Sequence, residues 1–487
     1  MKKKVIGALL LMETAFLLLS SVIALCYGEN DFMPLMSATL LTGIMGFVLF
    51  FPNRKKSGNL NRMDCYIIIS SIWVVFSLFG MIPFLLYGTV HSVTDAFFET
   101  MSGFTTTGAS ILNNIDEQPH GILFWRSILQ WLGGLGIMVF SIALLPSFSR
   151  NNKQLFSTEA TSVTMNKVRP KTKETARGIL LIYSALTIIC AIFYVVGPMN
   201  LFDALCHAMT TLGTGGFGTH QENMAFFHSS YIEYVCSIFM FMSGVNFALY
   251  FFAMTGNWKP LKTNEELRWY IVSTVVFVAI FFALFRLNPS HSESAQMPNT
   301  MADSFRAALF HVTSIFTSCG FQGSYCDYDA WGAAFWMPTI VMMVSGACAG
   351  SSSGGMKLIR FILCIKNTRN EFVLHKHPNA ILPVKISKHI IDYELISRTL
   401  AFIFLFLIVV VIGTFILTLT GISFDTAFGS CISAISNTGP GFGAAGPALN
   451  FATLPDFAKW VLAILMLIGR LEIYTILLMF TTYFWKD

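Results

Sequence analysis

The chain runs to 487 residues, 54% of them hydrophobic and only 12% charged, with 47 phenylalanines, 24 methionines and a formal net charge of +5. Soluble domains carry about 25% charged residues, so this composition excludes a water-soluble globular protein and requires lipid as the solvent. The modest positive charge tracks the placement of basic residues along the chain and does not point to nucleic acid.

Ten apolar runs match the roughly 20 helical residues that cross about 30 Å of hydrocarbon. In chain order they are Val5–Tyr27, Leu35–Phe51, Asp64–Tyr87, Leu123–Pro146, Ala176–Val196, Tyr231–Thr255, Leu267–Leu287, Phe335–Ile365, Leu395–Thr420 and Phe457–Trp485. The second is short and the eighth is interrupted. Placing both termini in the cytoplasm puts 26 of the 31 lysines and arginines on that side, in Lys2–Lys4, Arg54–Arg62, Arg150–Arg177, Lys259–Arg268, Lys357–Arg398 and Lys486. The remainder are Arg126, Arg286, Arg306, Lys459 and Arg470. Basic residues gather on the cytoplasmic face of inner-membrane proteins, so this pattern predicts a multi-pass inner-membrane chain. The ten cysteines lie mostly in apolar runs, as at Cys190, Cys236 and Cys348, with no CxxC pair. They read as small buried side chains.

Four shorter segments stand outside this scheme. Each is weakly apolar, about 10–14 residues long, and predicts a re-entrant half-helix that ends in small polar residues. They align without gaps over Glu99–Gly108, His207–Gly216, His311–Gly320 and Ser430–Gly439. Ser102, Thr210, Ser314 and Ser433 occupy one shared position; Phe104, Leu212, Phe316 and Ile435 occupy another. The unit repeats at roughly 110 residues, which predicts quasi-symmetric packing about an axis. In isolation, one such segment reads equally well as a small-residue helix contact. Four in register, each between two spans, favour an ion filter. Backbone carbonyls can replace a cation's hydration shell without the tight binding of a carboxylate, and glycine permits the backbone angles needed to aim them. Asp95, Asp203 and Asp425 open their half-helices, where they are expected caps. His207 and His311, at the position of Glu99, read as packing or hydrogen-bonding residues.

Two further features are candidates for a gate, the first of which also reads as a close-packing patch against a neighbouring helix. Ser345–Gly355 holds four glycines and four serines in eleven residues, too many for a continuous helix; Gly346, Gly350, Gly354 and Gly355 predict an unwound segment. Unwound backbone at membrane depth must face protein or water. Arg470 sits inside an apolar span, where a cation usually faces a cavity or partner, and a fixed positive charge beside a cation path raises a barrier. Its bland alternative is a structural contact with Glu472 or with carbonyls.

With these pieces the chain resembles the Trk/Ktr/HKT superfamily of potassium transporters, and within it the TrkH-type subunits. The resemblance covers nearly the whole chain and rests on Phe104–Ser110, Thr214–Thr219, Ser436–Gly443, Gly346–Lys357 and Gly469–Thr475. It implies an all-α polytopic fold with four helix–pore-helix–helix repeats around a central pore and an extra N-terminal helical pair. The implied boundaries are 1–60 for that pair and 61–150, 151–262, 263–385 and 386–487 for the repeats. It further implies a potassium filter at Thr106, Thr107, Gly108, Thr214, Gly215, Gly216, Ser318, Cys319, Gly320, Asn437, Thr438 and Gly439. The glycines are Gly108, Gly216, Gly320 and Gly439, with Gly215 open as the alternative in the second repeat. Ser318 and Cys319 depart from the more typical threonines. The resemblance makes the Gly346–Gly355 region a movable barrier under the filter and Arg470 its partner. It also implies a homodimer that recruits a cytoplasmic TrkA-like nucleotide-binding ring, with Arg150–Arg177 and Lys357–Arg398 as docking surfaces.

K+ is then the transported ion, and no organic cofactor is expected, because no P-loop or GxGxxG opens a strand–helix unit in the chain. The alternative within transport is a secondary carrier coupling a cation or small solute to protons or sodium, which favours broken helices or acids at the midplane. An intramembrane enzyme needs a nucleophile–base or metal constellation, and the sequence has neither HExxH nor GxSxG.

Overall fold

Hydrocarbon offers a backbone N–H no partner outside its own chain, so spanning segments must close their hydrogen bonds internally. The computed structural model, which describes residues 2–55, 62–148, 172–287 and 297–482, is accordingly helical, with a single two-stranded hairpin among the described residues. The Arg150–Arg177 loop falls largely outside them, as does Lys486. Among the described residues, six helices are long and apolar enough to cross a bilayer: Lys2–Tyr27, Phe32–Asn53, Tyr66–Tyr87, Ala176–Val196, Glu265–Leu287 and Tyr393–Thr418. The helix His120–Phe148 extends for 29 residues. The protein is therefore a polytopic all-α membrane protein.

Lys2–Tyr27 and Phe32–Phe50 form an antiparallel pair whose backbones nearly touch. A Cβ on Gly7 would lie 2.6 Å from the Phe50 nitrogen and 2.9 Å from the Gly46 oxygen. The turn between these helices docks on the start of His120–Phe148. There the Glu29 carboxylate takes the His120 N–H at 2.6 Å and Asp31 takes the Ile122 N–H at 3.0 Å.

Two apolar runs expected to be continuous spans are bent. The sixth divides into Ser230–Ser243 and Phe247–Met254 at 89°, and the tenth into Asp456–Arg470 and Ile473–Phe480 at 113°. Asn246 causes the first turn by capping the Ala248 N–H at 2.9 Å. Glu472 marks the second: its φ is +59°, and its carboxylate binds Arg360 at 2.6 Å. Periodicity of apolar residues carries no signal for such a corner, since both arms remain apolar. The eighth run breaks as expected, ending one helix at Ser345 and resuming at Leu358.

The basic residues that stood apart from the cytoplasmic set explain much of how the repeats are fastened. Lys459 of the fourth repeat binds Asp95 of the first at 2.6 Å, and Arg306 of the third binds Glu233 of the second at 2.8 Å. Arg126 pairs with Glu99 at 2.8 Å, both 1% exposed, and donates across to the Gly218 carbonyl at 3.1 Å. Breaking a buried pair by removing one partner costs about 3–5 kcal/mol, a cost that applies in full to Arg126–Glu99.

Candidate ion pathway

Four short helices enter the protein without crossing it: Val93–Phe104, Leu201–Gly213, Met301–Phe316 and Phe424–Ser436. Their expected aspartate caps are corrected by the structure. Asn200 and Thr300 cap the second and third by accepting the N–H of Asp203 at 2.7 Å and of Asp303 at 3.0 Å. Asp95, Asp203 and Asp425 stand in the first turn instead, where negative charge favours the helix dipole.

After each short helix the chain makes the same turn. Thr106, Thr214, Ser318 and Asn437 adopt left-handed φ values of 50°, 54°, 55° and 52°, and Gly108, Gly216, Gly320 and Gly439 follow at 81°, 77°, 77° and 102°. Gly216 thus occupies the place of Gly108, and Gly215 does not. The residue before each glycine is tied back to the half-helix. Thr107 N donates to Ser102 O at 2.9 Å, Gly215 N to Thr210 O at 3.0 Å, Cys319 N to Ser314 O at 2.9 Å and Thr438 N to Ser433 O at 3.0 Å. The recurrent Ser or Thr therefore serves through its carbonyl in all four turns, and Ser314 and Ser433 also donate their hydroxyls, to Phe321 O and Gly439 O. Ser318 and Cys319 fit the same backbone, because their side chains do not set it.

The four turns close a ring. A Cβ on Gly108 would strike the Gly215 carbonyl, one on Gly216 the Cys319 carbonyl, one on Gly320 the Thr438 carbonyl, and one on Gly439 would sit 2.7 Å from the Thr107 carbonyl. First touches second, second third, third fourth, and fourth first. No side chain larger than hydrogen fits at these contacts.

The shell around the ring holds residues that sequence reading missed. The buried Gln130 amide donates to Gly215 O at 2.7 Å and accepts Phe217 N–H at 3.0 Å, bracketing Gly216. Asn223 donates to Gly216 O at 2.9 Å, and Ser433 to Gly439 O at 2.6 Å. These carbonyls keep one lone pair apart from their side-chain donors. Asn437 Nδ2 ties the fourth turn to the first through Thr107 Oγ1 at 3.0 Å. A polar amide in an apolar span was the available signal for Gln130, since burial demands partners. Of the histidines, His207 binds Asp203 O at 2.9 Å and His311 meets Thr339 Oγ1 at 3.1 Å, as hydrogen-bonding residues.

On the side from which the half-helices enter, a cavity of about 500 Å³ reaches Gly108, Gly216, Gly320 and Gly439. Its rim includes His220, which bonds Asp116 at 2.6 Å and Asp203 at 3.2 Å. Partial burial pulls the imidazole down, but these two carboxylates outweigh it and hold the pKa above its ordinary 6.5. A raised folded pKa gives stability that is full below the ordinary value and lost as pH rises through the folded one. The melting temperature of the wild type should therefore fall relative to His220→Gln as pH rises from about 6.5 through the raised folded pKa. Parallel curves would remove the linkage.

On the opposite side the ring is covered. The Gly346–Lys357 loop folds under it: Ser352 Oγ donates to Leu212 O at 2.9 Å, Gly354 N–H donates to Ser318 Oγ, and a Cβ on Gly354 would collide with Ser436 O. Gly346, Gly350 and Gly355 take positive φ of 61°, 77° and 73°, which explains their clustering. Arg470, 1% exposed, donates to Ser352 O at 2.9 Å and to Gly133 O at 3.0 Å. Glu472 is taken by Arg360 and does not partner Arg470. Beside the loop and turns, Thr106 Oγ1, Ser436 Oγ, Asn437 Oδ1 and Thr438 Oγ1 are buried with no hydrogen-bond partner in the protein. Buried oxygens without donors are costly, and such a cluster suits a cation or its water.

A ring of four homologous re-entrant turns inside a helical membrane protein defines a four-repeat transport pore. The family described as TrkH, cation transport protein, matches residues 33–486, and the chain belongs to that family. It is 34% identical over 485 residues to the Trk system potassium uptake protein TrkH of Halomonas elongata, covering 99% of this chain and 98% of that one. It is 32% identical over 489 residues to the Escherichia coli protein of the same name, covering 99% of each. The crystal structure of the potassium transporter TrkH from Vibrio parahaemolyticus superposes with a TM-score of 0.89 at 33% identity, covering 99% of both chains.

Proposed function

We propose that this chain takes up potassium across the inner membrane through the ring formed by its four turns. The observation that carries this reading is the closed circuit of glycine-to-carbonyl contacts through Gly108, Gly216, Gly320 and Gly439. Carbonyl and hydroxyl oxygens of Thr106, Thr107, Thr214, Gly215, Ser318, Cys319, Asn437 and Thr438 stand in for the hydration shell of K+. K+ is cargo, and all donors needed are oxygens of this chain. The side bearing the 500 Å³ cavity faces outward and the covering loop faces the cytoplasm, which the lysine and arginine distribution supports. The loop and Arg470 form the barrier that opens for flux. A homodimer docked on a cytoplasmic TrkA-like nucleotide-binding ring completes the assembly, with Lys357–Arg398 as part of the contact surface.

Purified protein in liposomes loaded with K+ or Na+ tests the reading. The expected result is cation flux that favours K+ by about tenfold or more, the discrimination of about 1.4 kcal/mol in barrier height. Equal rates for the two ions, or no flux at all, overturn it. Gly108→Ser in the same assay should lower K+ flux, because its Cβ would strike the Gly215 carbonyl.

A further inference from the structure

The loop is held from the cytoplasmic side by an acid pair that neither the ring nor Arg470 accounts for. Glu265 and Glu266 open the helix Glu265–Leu287. Glu266 is 1% exposed, and its carboxylate accepts the Ala349 N–H of the loop at 2.7 Å. That bond lies between two others from the second repeat: Cys348 N–H to Gly244 O at 3.1 Å and Phe247 N–H to Gly350 O at 3.1 Å. The first of these neutral bonds and the second fix the loop's flank. The Glu266 bond is the shortest of the three and reaches the loop from a different helix, Glu265–Leu287.

Glu265, one residue earlier, faces the other way. Its carboxylate takes the Ser387 N–H at 2.8 Å, its own N–H donates to Ser387 Oγ at 3.1 Å, and it pairs with Lys366. Ser387 and Lys388 form the tip of the hairpin in which Lys385 pairs with Ile390 and Ile386 with His389. Both tip residues have positive φ, 47° and 71°, the geometry of a turn that favours glycine and asparagine. Non-glycine residues keep such angles only where their surroundings impose them, and Glu265 grips one of them twice. Lys366 also donates to Lys385 O at 2.6 Å, closing the attachment.

We propose that Glu265 and Glu266 link the cytoplasmic hairpin Lys385–Ile390 to the intramembrane loop, so that displacement of the hairpin moves the helix start and releases the loop at Ala349. Glu266 is a positioning residue: it acts on the ion path through the loop and touches no cargo. This rests on the reading of the loop as a barrier. The hairpin is then the handle by which a cytoplasmic partner acts on flux.

The test is K+ flux in liposomes. Glu266→Ala should raise basal flux about fivefold to tenfold, since a buried hydrogen bond is lost from the closed arrangement alone. Its K+ over Na+ ratio should stay at the wild-type value, because the ring is untouched. Glu266→Gln keeps an acceptor for Ala349 and should restore most of the restraint. Glu265→Ala should raise flux less, and the double variant should not exceed Glu266→Ala, the non-additive pattern of coupled residues. Multiplying effects would mean two independent contacts and overturn the link. Lowered flux in Glu266→Ala with a monodisperse chromatographic profile would also overturn it. A variant lacking residues 350–353 separates the underlying reading: if it conducts faster while Glu266→Ala does not, the link fails and the barrier stands. If it conducts no faster, the barrier itself fails.

Discussion

Gly320→Ala will lower K+ flux roughly 100-fold while leaving the protein folded and monodisperse. Gly320 has φ +77°, which costs an alanine roughly 1–2 kcal/mol in the left-handed region. That strain alone is survivable. The larger effect is contact: the added methyl would overlap the Thr438 carbonyl and lie 2.9 Å from Pro440 Cδ. The neighbouring turn must retreat, and the ring can no longer present its oxygens at one radius. Strain of about 3 kcal/mol on the conducting arrangement corresponds to a loss of roughly 100-fold in rate. Gly256→Ala supplies the control. Gly256 has a comparable φ of +83° and nothing within 4 Å of the added carbon, so it shares the strain and lacks the collision. Flux assays on both variants decide the matter: retained flux in Gly320→Ala, or equal loss in Gly256→Ala, removes the ring from the ion path.

The difference between those two glycines also marks how far the sequence could be read. The four-fold alignment was visible because each turn needs glycine at one place and small polar residues before it. Composition and spacing record such demands directly. The spans were visible because hydrocarbon demands length and apolarity. What stayed hidden depends on partners distant along the chain. Gln130 contacts Gly215 and Phe217, more than eighty residues away, and nothing in its own neighbourhood says so. The corner at Glu472 follows from Arg360, which reaches it across 112 residues. Asp95 and Asp203 carried a correct local signal, an acid at a helix start, but Lys459, Thr219 and His220 claimed their carboxylates. Gly215 and Gly216 could not be separated by alignment alone. The backbone separates them, because only Gly216 takes the left-handed angle beside the Cys319 carbonyl.

Arg470→Ala should have the opposite effect to the ring variant and raise basal K+ flux strongly. The guanidinium does two things at once. It ties the loop to the first repeat by donating to Ser352 O at 2.9 Å and Gly133 O at 3.0 Å, and it places a positive charge under the ring. Both bonds belong to the closed arrangement, and hydrogen bonds from a charged donor contribute about 1.5–3 kcal/mol each. A monovalent cation within about 6 Å of the charge, at an effective dielectric constant near 20, meets a repulsion of about 3 kcal/mol. Losing either term raises flux on the order of 100-fold, since about 1.4 kcal/mol is tenfold. Arg470→Lys divides the two contributions. Lysine keeps the charge but not the planar fork that reaches both carbonyls, so flux near wild type assigns the barrier to charge. Flux near that of Arg470→Ala assigns it to the loop contacts. Unchanged or lower flux in a folded Arg470→Ala protein would show that the arginine braces the structure and does not restrain the ion.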